Sequence, residues 1–215
     1  MKGRKPCVFV VDGNLDERRR TIALLNGRKY AVASFASATE YLESEPPSGP
    51  TCLVVEAQLP GASGLELLQR LTDAGRYEPI VFTTSDPGVT MGIRAMKAGA
   101  VDYLLRPFED KMLMAAVARG LSRSEADRRS REEIGDAQTR VAALTEKQRQ
   151  VLRLVLAGCL NKQIADRLRA ALRTVKRHRA VIMRTMGANS VVDLIRLGQR
   201  AGLDLEPLPA ADEDR

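Results

Sequence analysis

Four polar side chains stand where apolar runs end. Asp12 follows the run 7–11, Glu56 follows 51–55, Thr84 follows 80–83 and Arg106 follows 101–105. Brought together they would form a pocket of two carboxylates, a hydroxyl and a guanidinium. Open parallel sheets place their ligands at such strand ends, where the strand order reverses. Glu56 is the central group. It closes Thr51-Cys52-Leu53-Val54-Val55, which lies between Pro50 and Pro60-Gly61 and has the apolar continuity of a strand buried on both faces. The plainer alternative is that all four are ordinary polar ends in a packed α/β domain.

The elements that must position these groups alternate regularly. Strands are predicted at 7–11, 30–35, 51–55, 80–83 and 101–105. Helices are predicted from Asn14-Leu15 to about Gly27, after Ser37 with Glu40, over 64–74 behind a Ser63/Glu66 capping box, over 89–98 before Gly99, and from near Glu109. Five strands alternating with five helices give a doubly wound α/β (βα)5 domain over residues 6–120.

Several stretches in this region resemble the CheY-like receiver domain of two-component response regulators. They are Val10-Val11-Asp12, Leu59-Pro60-Gly61 with Ser63-Gly64, Ala95-Met96-Lys97-Ala98-Gly99-Ala100-Val101-Asp102-Tyr103-Leu104, and Pro107-Phe108. The resemblance implies a pocket of Asp12, Gly13, Glu56, Gln58, Thr84, Tyr103 and Arg106. In that family a strand-end Asp takes a phosphoryl group from a histidine kinase, two acids after the first strand help hold Mg²⁺, and a Lys before Pro contacts the phosphoryl group. Asp12, Thr84 and Tyr103 match. The acceptor position is Glu56, the second acid is replaced by Gly13, and the Lys by Arg106. Magnesium demands near-ideal octahedral geometry from carboxylates. One methylene moves the acceptor oxygens by about 1 Å, enough to cost on the order of a hundredfold in a positioned reaction. Arg is a planar fork where Lys is a compact charge. The expectation is a degenerate receiver with weak or absent Mg²⁺ binding, no cofactor, and Glu56 supplying a permanent negative charge paired with Arg106.

Residues 121–143 carry five basic and five acidic residues and are predicted to be a charged helical linker, with a second helical segment starting after Gly135. A helix that transmits receiver state and a passive spacer both fit. Residues 144–205 hold thirteen basic and four acidic residues, whereas 1–120 are near balance and the 206–215 tail is acidic. The basic excess therefore points to a polyanion partner for this block alone.

Here Thr145 and Gln148 open a helix, a short one follows over 161–168, and a third, cation-rich one runs over 172–186 to Gly187. Ser190 with Asp193 caps a fourth. Two helices joined by a tight turn, the second basic, make a helix-turn-helix, so this domain is all-α with four helices. A solvated basic face is the simpler account of the charge run.

The block resembles the LuxR-type helix-turn-helix of the NarL/FixJ regulators through Leu144-Thr145, Ala157-Gly158, Asn161-Lys162, Ile164-Ala165, Thr174-Val175-Lys176, His178-Arg179 and Ile182-Met183. By position, Lys176, Arg177 and Ala180 would face base edges, Lys162, Thr174 and His178 would hold phosphates and register, and Arg173 is a further DNA-binding candidate. Arg169 stands where the family usually has a turn Gly, and Ala171 where a Ser caps the recognition helix. The surplus of Val191, Val192, Leu194, Ile195 and Leu197 on the last helix suggests a dimer seam.

The expected protein is a double-stranded-DNA-binding transcription regulator, a homodimer that acts independently of phosphorylation and is not an enzyme. A sensor kinase or second regulator is a possible partner. Rival readings are a pure protein-interaction module and a regulator phosphorylated at a non-standard site. His178 is the single histidine and has no partners for a metal or catalytic site, and Cys7, Cys52 and Cys159 read as reduced thiols. No apolar run reaches spanning length, so a cytoplasmic protein is expected, with no membrane partner.

Overall fold

In a computed structural model the described residues are 5–26, 30–86 and 88–203. The chain divides into two compact units, residues 1–128 and 129–215. The expected end of the first helix at Gly27 and the acidic tail 206–215 lie outside the described residues.

The first unit runs β1 (Cys7–Val11), α1 (Leu15–Leu25), β2 (Ala31–Phe35), α2 (Ala38–Glu43) and β3 (Thr51–Glu56). It continues with β4 (Gln58–Leu59), β5 (Ala62–Ser63), α3 (Gly64–Asp73), β6 (Ile80–Thr84), α4 (Val89–Lys97), β7 (Asp102–Leu105) and the start of α5 (Asp110–Ala142). The five long strands form one parallel sheet in the order β2-β1-β3-β6-β7. The chain leaves β1 toward one edge and returns past it to β3, so the reversal point lies between β1 and β3, which end at Val11 and Glu56.

Alternation sorts β3 between two cores. Leu53 and Val55 join Tyr41, Leu67, Leu71, Phe82 and Ala95 on one face. Cys52 and Val54 join Leu25, Val81, Leu113, Ala116 and Val117 on the other. Helix α5 comes close enough to β3 that a Cβ on Gly120 would run into Cys52 Sγ. Four residues on, the Ser124 hydroxyl accepts a 2.9 Å hydrogen bond from the Thr51 amide.

Three expectations are corrected. Glu56 and Thr84 are the last residues of their strands, not the first beyond them. The stretch after the acceptor position makes a small antiparallel hairpin, β4 with β5, that the sequence patterns did not indicate. Helix α5 runs unbroken through Gly135, so no second segment begins there. A glycine inside an exposed helix costs about 1 kcal/mol relative to Ala, which weakens a helix without ending it.

The second unit contains α6 (Glu146–Leu156), α7 (Asn161–Arg167), α8 (Leu172–Met186) and α9 (Val191–Arg200). The Thr145/Gln148 capping box forms in both directions, and Ser190 accepts from the Asp193 amide. Leu152, Ile164, Val175, Ile182 and Met186 are fully buried at the centre. Gly187 ends α8 in the left-handed conformation at φ 67°.

Candidate functional site

Arg106 is the hub of the first unit's strand ends. It leaves the end of β7 and reaches across β6 to β3 and β1. Its Nη1 donates to Glu56 Oε2 in a very short ion pair, and its Nη2 donates to Asp12 Oδ2 at 2.8 Å and to Thr83 Oγ1 at 2.9 Å. Its Nε lies 3.4 Å from Glu17 Oε2 but makes no aligned hydrogen bond. Side-chain exposure is 12% for Arg106, 3% for Asp12 and 14% for Glu56, so the pairs are largely shielded from water. A planar fork can hold two carboxylates at once, which a single ammonium cannot do with fixed geometry. Burial raises the Glu56 carboxyl above its ordinary value, Arg106 opposes the rise and the Asp12 charge adds to it.

The remaining pocket positions separate. Gly13 is exposed, and a Cβ there would lie 2.6 Å from Cγ and Cδ of Pro60. Position 13 thus supplies no ligand, and its side-chain space is filled by the β4–β5 hairpin. The Thr84 hydroxyl does not join Arg106; it accepts from the Asp86 amide at 3.1 Å. Gln58 is exposed and its Nε2 donates to Asp86 Oδ2 at 3.2 Å. The Tyr103 ring packs beside Phe82, 6.4 Å between centroids, and against Gly92.

Sequence reasoning missed Thr83, Glu17 and Pro60. Thr83 was findable in principle: it pairs in register with Glu56 across β3 and β6, so its hydroxyl shares the acid's neighbourhood. Glu17 carried no signal, and Pro60 was read only as part of the Leu59-Pro60-Gly61 stretch; their roles here come from how α1 and the hairpin pack. Among the described residues no three His, Cys, Asp or Glu side chains are grouped to hold a metal ion.

In the second unit, α7 and α8 are joined by Leu168-Arg169-Ala170-Ala171. Arg169 adopts φ 47°, the left-handed region that favours glycine, and Ala171 leaves α8 without a side-chain cap. Along α8, Arg173, Lys176, Arg177, Ala180 and Arg184 are exposed, while Val175, Ile182 and Met186 are buried. Spacings of three and four residues put the exposed set on one face. Thr174 and His178 are half-buried beside that face and Lys162 is exposed on α7. Basic side chains on the second helix of such a motif can reach a major groove while the first helix crosses the backbone. On α9, Ile195 and Leu197 pack on the core, and only Val191 and Val192 of the expected surplus remain open to solvent. Among the described residues no helix is long and apolar enough to cross a membrane.

Comparison with known proteins agrees with this architecture. Residues 8–118 match the response regulator receiver domain, and residues 142–197 match the bacterial regulatory proteins of the luxR family. Nodulation protein W of Bradyrhizobium diazoefficiens is 36% identical over 199 residues, covering 93% of this chain and 88% of the relative. The transcriptional regulatory protein FixJ of the same organism is 35% identical over 196 residues, covering 91% and 96%. The solved structure of the response regulator StyR superposes with a TM-score of 0.82 at 38% identity, covering 92% of this chain and all of that one. A parallel five-stranded domain with an acidic crevice, followed by a basic helix-turn-helix, and relatives similar along nearly the whole chain place the protein in the FixJ family of two-component response regulators, DNA-binding transcription regulators with a receiver domain and a LuxR-type helix-turn-helix.

Proposed function

We propose that this regulator works without phosphotransfer to its receiver. The observation that carries the reading is Arg106 holding Asp12 and Glu56 together. In an ordinary receiver the corresponding crevice must admit a divalent ion and a phosphoryl group. Here a tethered guanidinium lies between the two acids, and Pro60 fills the space where a side chain at position 13 would begin. The residues present do not fit Mg²⁺, which needs several oxygen ligands in octahedral array. Glu56 then acts as a fixed carboxylate whose charge is met by Arg106 and not by an incoming metal.

The same reading assigns DNA contact to α8. Lys176, Arg177 and Ala180 are placed toward base edges, with Arg177 able to take a guanine bidentately. Lys162, Thr174 and His178 hold phosphates and register, and Arg173 adds charge to the same face. A homodimer is favoured by an exposed apolar set, Val89, Ile93 and Met96 on α4 with Leu105 on β7, all close to half exposed or more. Val191 and Val192 offer a second, smaller seam. The regulator is placed in the cytoplasm, where its DNA is.

The test is a titration of the full chain against a duplex recovered by binding-site selection, at several salt concentrations and with or without acetyl phosphate and Mg²⁺. The expected result is a steep salt dependence and one affinity in both conditions. A large gain in affinity with the phosphoryl donor overturns phosphorylation independence. A flat salt response overturns DNA contact through α8.

A further inference from the structure

The first unit contains a cavity of about 450 Å³ between α1 and the start of α5, beside the crevice over β1 and β3 and sharing Arg106 with it. That volume falls within the roughly 300–1,000 Å³ typical of small-molecule sites. Leu24 on α1 and Pro107, Phe108 and Leu113 on the opposite side give it apolar walls. Two charged residues also line it, Arg20 on α1 and Asp110 in the first turn of α5. Among the described residues neither has an ion-pair or side-chain hydrogen-bond partner; both are exposed and border the same space. The other cavity-lining charges, Glu17 and Arg106, face each other at 3.4 Å.

We propose that this cavity binds a small zwitterion with an apolar side chain, an apolar α-amino acid. The charge pattern selects the class. A ligand bearing only a carboxylate would satisfy Arg20 and leave Asp110 unmet; one bearing only an ammonium would do the reverse. A molecule with both groups on one carbon answers both residues and leaves its side chain for Leu24 and Phe108. Complementary pairing of this kind fixes the ligand's orientation, with its side chain toward the apolar walls.

The position suggests a regulatory use, which rests on the phosphorylation-independent reading above. Arg106 lines the cavity while it is bonded to Asp12 and Glu56, and its buried Nε is the one guanidinium nitrogen without a hydrogen bond. A ligand seated here touches the residue that holds the crevice closed. A receiver that takes no phosphoryl group would then still have an input.

Isothermal titration of the full chain with L-leucine and L-phenylalanine tests the site, with N-acetyl-L-leucine and L-leucinamide as analogues lacking one charge. Saturable binding of the amino acids is expected, with each analogue at least about tenfold weaker, the loss that follows from one charge-assisted hydrogen bond. R20Q and D110N, both exposed positions on different helices, should each weaken L-leucine by a similar factor. No saturable binding of either amino acid at millimolar concentration overturns the proposal. So does equal binding of all the leucine compounds, or L-leucine affinity unchanged in both variants. These titrations contain no phosphoryl donor or Mg²⁺, so failure of the site is distinguishable from failure of the phosphorylation-independent reading, which shows only as a DNA-affinity gain with acetyl phosphate.

Discussion

Pro60 occupies the space in which a side chain at Gly13 would begin, its Cγ and Cδ each 2.6 Å from where a Cβ would stand. The missing acid at position 13 is therefore not a simple deletion. The hairpin that follows the acceptor strand has closed over the vacancy, and restoring the carboxylate requires moving the proline. G13D should destabilise the protein by about 1–3 kcal/mol, the usual cost of forcing atoms into packed space. P60A in the same chain should recover part of that loss. Urea unfolding of the wild type, G13D and G13D/P60A measures both effects.

Removing Arg106 should be costly. R106A leaves Asp12 and Glu56, both largely buried, as two like charges with no counter-ion. Breaking one side of a buried ion pair typically costs about 3–5 kcal/mol. The double variant R106A/E56A should lose less than R106A alone, because the repelling pair is gone. A double variant as unstable as the sum of its parts would show that the two residues are not coupled.

The Glu56 carboxyl gives a pH signature. Burial, its largest influence, raises it in the folded state above the ordinary 4.5. The folded protein thus keeps a proton there over a range in which the unfolded chain has released it. The stability contributed by that proton is complete at low pH and is lost as pH rises from near 4.5 through the folded value. The difference in unfolding free energy between the wild type and E56Q should therefore fall as pH rises over this range. A difference that grows with pH would mean that Arg106 outweighs burial.

Cys52 should be inert in the folded protein. It is fully buried between β3 and α5, and burial pushes its thiol up to about 12. A thiol-specific disulfide reagent should label Cys7 and Cys159 and spare Cys52 until denaturant is added. G120A should destabilise the fold by pressing a methyl group on Cys52 Sγ, and C52A should relieve it.

Arg169 links stability to DNA contact in opposite directions. It holds a left-handed turn at φ 47° and is exposed three residues before α8 begins. R169G should raise stability by about 1 kcal/mol, the lower range for a non-glycine residue in that region. It should also weaken DNA binding and reduce the salt slope by about 1, the signature of one lost phosphate contact. Thermal unfolding and duplex titration of one variant read both.

Much of this was legible from residue order. Apolar runs bounded by Pro and Gly located the five long strands, and capping residues such as Ser63, Thr145 and Ser190 located helix starts, because both signals are local. The pairing of Arg106 with Glu56 was also readable, since both sit at strand ends of one parallel sheet. Thr83 was hidden by its neighbour: of two consecutive threonines, Thr84 looked like the strand end, but only Thr83 lies beside Glu56 in register. Pro60, Glu17 and the cavity near Arg20 and Asp110 were not legible. They depend on how a hairpin and two helices pack on the sheet, and no spacing along the chain encodes that distance. The helix through Gly135 shows the reverse error, in which a local breaker was given more weight than the turns on either side of it.

With Arg106 occupying the crevice over β1 and β3 and Pro60 closing it at Gly13, neither a metal ion nor a phosphoryl group is expected to enter. Calorimetric titration of the full chain with Mg²⁺, alone and with beryllofluoride, tests it most directly. No saturable heat is expected in either titration, and the unfolding temperature should be the same with and without both ions. Stoichiometric binding of Mg²⁺ with beryllofluoride that disappears in E56A would contradict it.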